Sequence, residues 1–157
     1  MRKTIDPDSF GFLINDIARF SRAVFEVEIE AARLSVTAAE ARVMAHMARC
    51  GATRQHLLAE RLGMTPMSLT GFLDRLETSG LVTRTADVKD RRAKIVTLTP
   101  RASDVLAQIA QAGAQAEQTI SEGICPEDWE TFRRIALQLR RNLSDARSQT
   151  PNAEDAA

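Results

Sequence analysis

Cysteine is scarce in this chain and tyrosine is absent. Cys50 and Cys125 lie far apart and form neither a disulfide framework nor a metal-ligand spacing, and His46 and His56 add no ligand set to them. No metal and no other cofactor is therefore expected. Long apolar runs are also missing. None approaches the roughly 18 to 20 residues that span a bilayer, so no membrane association is expected. The start, Met1-Arg2-Lys3-Thr4-Ile5-Asp6, lacks the apolar stretch of a secretion signal, which points to the cytoplasm. No nucleophile is paired with a base and no Gly-rich loop cradles a phosphate, so an enzyme has no support.

Net charge is absent as well, at +0 over 157 residues, a length suited to one domain (1–157). Its distribution is uneven. Residues 32–101 hold 12 Lys/Arg against 6 Asp/Glu, whereas residues 1–31 hold 4 against 6 and residues 102–157 hold 5 against 9. A basic middle between acidic ends points to an anionic partner for the middle.

That middle contains the most informative stretch, Asp87-Val88-Lys89-Asp90-Arg91-Arg92-Ala93-Lys94. It separates two β-prone runs, Leu81-Val82-Thr83-Arg84 and Ile95-Val96-Thr97-Leu98, and reads as the tip of a hairpin projecting into solvent. Packing has no use for four cations at such a tip, whereas a polyanion does.

Helices flank the hairpin. Residues 10–32 repeat Phe10, Leu13, Ile14, Ile17, Phe20, Val24 and Val27 at helical spacing, with Asp8 or Ser9 as the cap. Phe12 and Phe25 fall off this stripe. Two apolar flanks suggest a subunit interface, with a broad core face as the alternative. Thr37-Ala38-Ala39-Glu40 spells a capping box for a helix ending near Gly51. Thr53 is the expected cap of the next helix, which ends at Gly63. Thr65 and Pro66 supply the N-cap and first position of a third, ending at Gly80. Two short helices followed by a hairpin make a winged helix-turn-helix. Thr99-Pro100 opens a long Ala-rich helix over 100–122, where Gly113 permits close approach. A last helix starts near Cys125-Pro126, with Ile124 and Trp129 spaced as a hydrophobic staple. After Ser144 the polar tail (145–157) is expected to leave the helix. The fold class is thus mainly α with a small β-hairpin wing. The winged lobe spans 32–100, between helical regions at 8–31 and 101–144.

Leu58-Ala59-Glu60-Arg61-Leu62-Gly63-Met64-Thr65, Leu73-Asp74-Arg75-Leu76-Glu77, Gly80-Leu81-Val82, Asp90-Arg91-Arg92-Ala93-Lys94 and Val96-Thr97-Leu98-Thr99 occur in order. Together they resemble the MarR family of bacterial winged-helix transcription regulators over residues 10–143. The resemblance implies a homodimer joined through its first and last two helices. It places a recognition helix in the major groove of double-stranded DNA and a wing in the flanking minor groove, with release by a small ligand or by oxidation. A repressor on a pseudo-palindromic operator is the expected function. The alternatives are a winged-helix protein-interaction module that does not touch DNA, and a cysteine-based redox sensor of the same fold.

On the recognition helix, Thr65, Pro66, Met67, Ser68 and Thr70 face base edges and phosphates. Family members often carry Arg where this chain has Gly71, which shifts weight to the wing and to DNA shape. In the wing, Arg91 and Arg92 are the expected minor-groove contacts, with Lys89 and Lys94 on phosphates. Asp90 is expected to hold an arginine fork. Arg54 and Arg75 are further phosphate candidates, with pairing to carboxylates such as Asp74 as the competing use. The resemblance also implies a pocket for a small aromatic or apolar effector, lined by Phe20, Ala41, Met44 and Met47. Ala41 stands where relatives carry a bulky aromatic.

Overall fold

The computed structural model describes residues 6–149, in two compact units, one ending at Ile120 and the other beginning at Ser121. The first unit opens with helix α1 (Phe10–Ala31), then α2 (Ala38–Cys50), strand β1 (Thr53–Arg54), α3 (Gln55–Leu62) and α4 (Pro66–Thr78). Strands β2 (Val82–Ala86) and β3 (Lys94–Leu98), a 3-10 turn (Pro100–Ala102) and α5 (Ser103–Ser121) follow. The second unit carries α6 (Pro126–Gln149). No described helix is long and apolar enough to cross a membrane.

The caps follow from side-chain chemistry. At α2 the capping box forms in full. Glu40 N–H donates to Thr37 Oγ1 at 3.3 Å, and Thr37 N–H donates back to Glu40 Oε2 at 2.8 Å. At α4 the Thr65 hydroxyl accepts the Ser68 N–H at 3.1 Å, and Pro66 takes a position where its missing N–H has no partner to lose. Gly63 ends α3 in the left-handed region at φ 62° and ψ 35°.

Three local expectations need correction. Thr53 does not cap α3. It lies buried in β1, which pairs antiparallel with β3 (Thr53↔Val96, Arg54↔Ile95), so the expected hairpin is a three-stranded sheet in the order β1-β3-β2. A β-branched residue suits that buried strand position, and the N-cap falls to Arg54, whose side chain makes no capping bond. Thr99 caps nothing with its side chain either, since its hydroxyl donates to the Gly80 carbonyl at 2.6 Å. Finally, α6 continues past Ser144 to Gln149. No glycine or proline interrupts that stretch, so it has no local reason to stop. Residues 150–157 of the expected tail lie outside the described residues.

The core of the first unit gathers Val43, Met44 and Met47 of α2, Leu58 of α3, Leu69, Leu73 and Leu76 of α4, and Val82 and Val96 of the sheet. Only the C-terminal part of α1 joins it, through Ile29 and Phe25. A Cβ at Gly113 of α5 would lie 4.0 Å from the Phe25 ring, in ordinary van der Waals contact. The rest of the α1 stripe (Phe10, Leu13, Ile14, Ile17 and Phe20) is exposed, together with Phe12. In the second unit, Trp129 and Phe132 stack at 5.6 Å, and Phe132, Ile135 and Leu143 of α6 are exposed.

Candidate nucleic-acid interface

The start of α4 and the wing face a common cleft. Its walls are Gln55 and His56 from α3, Pro66 from α4, and Arg92, Ala93 and Lys94 from the wing, and its volume is about 230 Å³. Of the residues expected from sequence, the cleft brings together Pro66 of α4 and the wing cations Arg92 and Lys94.

Along α4, hydroxyls are engaged locally. Thr65 donates to Ser68 Oγ at 2.9 Å, and Thr70 donates to the Pro66 carbonyl at 2.8 Å while accepting from Gln55 Nε2 at 2.8 Å. Met67 is 85% exposed, which makes it the projecting apolar side chain of this turn. Gln55 carries no sequence motif. Only the packing of α3 on α4 reveals that it orients Thr70.

In the wing, the β2–β3 ladder runs to Ala86↔Lys94, so Lys94 belongs to a strand and the loop is 87–93. The loop is shaped by short bonds: Asp87 N–H to Ala93 O at 3.0 Å, Ala93 N–H to Asp90 O at 2.9 Å, and Lys89 N–H to Asp87 Oδ1 at 2.8 Å. Asp90 does not hold an arginine fork. Its Oδ1 accepts the Arg92 backbone N–H at 3.0 Å, because a short carboxylate reaches the backbone two residues on more readily than a long guanidinium. Among the described residues, Lys89, Arg91 and Arg92 form no ion pair, and all three are exposed.

Arg54 and Arg75 are used differently from those three. Arg54 Nε donates to Asp87 Oδ2 at 2.7 Å. Arg75 Nε donates to Glu40 Oε1 at 2.5 Å and lies over the Phe72 ring, 5.1 Å from its centroid. The carboxylate that Arg75 finds is on α2 rather than Asp74. Asp74 instead pairs with Arg84 at 2.6 Å, and Arg84 also donates to Glu77 at 2.6 and 3.0 Å. Arg84 ties the wing to the C-terminal half of α4, and sequence reasoning missed it. The signal was present: alternation along Val82-Thr83-Arg84 puts Arg84 on the face of a buried valine, where a cation needs a carboxylate.

These pairs shape the local electrostatics. Burial pushes the Glu40 carboxyl up, but the Thr37 N–H, the Arg75 guanidinium and the Thr37 hydroxyl outweigh it and hold it below its ordinary value. The Arg84 guanidinium lowers Glu77. The Lys89 N–H, and then Arg54, lower Asp87. These three carboxylates stay ionised at neutral pH, their charge matched inside the lobe.

The residues expected to line an effector pocket differ in environment. Ala41, Met44 and Met47 are buried in the core, while Phe20 is exposed on α1 with Arg19 stacked over it at 4.1 Å. A Met stripe at helical spacing fills a core well, and α2 uses it that way. A separate cleft of about 360 Å³ lies between α1 and α5, lined by Glu28, Ala31, Ala32, Gln108, Gln111, Ala112 and Gln115. Cys50 is half-buried. Cys125 is exposed, and its Sγ accepts the Asp128 N–H at 3.4 Å at the start of α6.

Comparison with known proteins agrees with this geometry. A family model described as the MarR family matches residues 36–94. The solved structure of the transcriptional regulator PA3341 is 32% identical with a TM-score of 0.69, covering 87% of this chain and 98% of that one. A structure of MarR is 22% identical with a TM-score of 0.78, covering 94% and 99%. Bordetella bronchiseptica BpsR, whose DNA binding is regulated by 6-hydroxynicotinic acid, is 23% identical with a TM-score of 0.66, covering 90% and 97%. The last two share the fold. The winged lobe, its cationic loop and these likenesses agree: the chain belongs to the MarR family of DNA-binding transcriptional regulators.

Proposed function

We propose that the protein is a ligand-responsive repressor that binds a pseudo-palindromic operator as a homodimer. The observation that carries this reading is the loop 87–93, whose exposed cations Lys89, Arg91 and Arg92 are unpaired while Arg54, Arg75 and Arg84 nearby are each matched by a carboxylate. Unpaired cations on one projecting loop suit a phosphate backbone and a narrow minor groove. In this reading Arg91 and Arg92 enter the minor groove, and Lys89 and Lys94 lie on phosphates. Thr65, Pro66, Ser68 and Thr70 set the turn that brings Met67 against thymine methyls in the major groove. Arg54 and Arg75 act through their carboxylate partners.

The homodimer rests on exposed apolar faces. α1 exposes Phe10, Leu13, Ile14 and Ile17, and α6 exposes Phe132, Ile135 and Leu143. Such faces suit a second copy rather than water. For the effector, the amide-lined cleft between α1 and α5 fits better than the pocket first expected. Its glutamines can bond the polar edge of a small aromatic molecule, while Ala31, Ala32 and Ala112 meet its face. The BpsR ligand is of that chemical kind.

The test begins with the duplex that the protein enriches from its own genome. Footprinting on that fragment should show two protected half-sites about one helical turn apart, with two chains bound per fragment. A single protected patch, or one chain per duplex, would overturn the dimer reading. Transcription in vitro from the same fragment should fall when the protein is added, and a rise would reverse the proposed sign.

A further inference from the structure

We propose that Arg54 and Asp87 form a positioning pair that fixes the wing on the DNA-binding lobe, so that the anionic Asp87 strengthens DNA binding. The inference rests on the reading of Arg91 and Arg92 as DNA contacts. It assigns Asp87 a role, and it gives Arg54 one other than direct phosphate contact.

The pair joins residues 33 positions apart, with Arg54 Nε at 2.7 Å from Asp87 Oδ2. Arg54 lies in β1 opposite Ile95 of β3, and Asp87 is the first residue beyond the β2–β3 ladder. The bond therefore crosses β3 and reaches the base of the loop at the point where ladder bonding ends. Asp87 organises that base on three sides. Its Oδ1 accepts the Lys89 N–H at 2.8 Å, its Oδ2 accepts Arg54, and its own N–H donates to the Ala93 carbonyl at 3.0 Å. Among the described residues, Arg54–Asp87 is the one side-chain bond from loop 87–93 to an element outside the hairpin. The Asp87 side chain is 12% exposed, unlike the freely solvated partners of ordinary surface pairs. Every other bond within the loop shapes its path without fixing its direction relative to α4.

Charge alone argues the opposite. An aspartate close to Lys89, Arg91 and Arg92 repels phosphate, so removing its charge should tighten DNA binding. Positioning predicts a loss instead, because a guanidinium held on a wandering loop gives up part of its binding energy to ordering. The two accounts differ in sign.

The test uses the full-length protein and the labelled duplex that wild-type protein enriches from a randomised library. D87N keeps an acceptor for the Lys89 N–H while weakening the hold on Arg54, and R54Q removes the same hold from the other side. Each should weaken binding about fivefold to tenfold, and the double variant should be no weaker than either single one, as expected for groups acting through one bond. In a background already carrying K89A, R91A and R92A, D87N should change affinity less than twofold, because the loop side chains it positions are gone. Tighter or unchanged binding by D87N would overturn the proposal, as would an undiminished loss in that background. If D87N unfolds the chain by circular dichroism, R54Q alone decides between the same outcomes. An R54Q variant that lowers the salt slope by about one phosphate in both backgrounds would make Arg54 a direct contact and also overturn it. If R91A with R92A leaves affinity intact, the wing reading itself fails, a result separate from a neutral D87N beside a weakened double variant.

Discussion

Gly71 sits in the middle of α4, and a Cβ built there meets nothing nearer than Arg75 Nη1 at 3.9 Å. The protein thus has room for a side chain at this position, and Gly71→Ala should raise stability by about 1 kcal/mol through helix propensity, read from the urea midpoint at unchanged m-value. If the same variant loses DNA affinity, the missing Cβ serves the duplex rather than the fold. His46 is the other informative residue. Its Nδ1 is shielded from solvent and has no hydrogen-bond partner among the described residues. Burial, followed by Arg49, Arg42 and Arg61, disfavours the imidazolium and lowers its pKa from the ordinary 6.5. A depressed folded value means the contribution to stability is complete above about pH 6.5 and is lost as pH falls through that lower value. Thermal midpoints should therefore drop faster below about pH 6.5 in the wild type than in His46→Leu. Parallel slopes would show that His46 titrates as freely in the fold as in the unfolded chain.

Among the elements, α2 and α4 are joined by both apolar and polar contacts, and each has a distinct signature. Met44 is fully buried, so Met44→Ala should destabilise by roughly 2–5 kcal/mol in chemical denaturation. That loss should appear with or without any effector. Glu40 serves both the capping box and Arg75, which explains a nearly buried carboxylate at a helix start. How legible such features were depended on their range. Thr37-x-x-Glu40, Thr65-Pro66 and the apolar spacing of α4 could be read directly, since each is a local pattern with a local cause. The cationic wing was readable for the same reason. Arg75–Glu40 and Arg54–Asp87 were not, because nothing in a sequence marks which of several carboxylates lies across 33 or 35 positions. Thr53 misled because a threonine before a helical pattern looks like a cap, while its strand partner Val96 lies far along the chain. Asp90 misled because its competitor for the carboxylate was backbone. Met44 and Met47 at helical spacing suit core and cavity alike, and both are buried in the core.

At the scale of the whole molecule, α1 leaves Ile17 and its apolar neighbours exposed in a single chain. Ile17→Glu should shift the protein from dimer to monomer in sedimentation experiments while leaving helical content intact. A dimer that survived this change would place the contact elsewhere. Loss of the dimer should also weaken operator binding far more than any single wing substitution, because two half-sites are then engaged independently. The charge pattern gives the most direct test of the central claim, that free cations on loop 87–93 lie against a duplex. Affinity for the enriched duplex should be measured across a series of salt concentrations, for the wild type and for Arg91→Ala with Arg92→Ala. The logarithmic salt slope should become shallower by roughly 1.8, because each guanidinium in the groove neutralises about one phosphate charge and releases its counterion. Identical slopes for the two proteins would contradict the account.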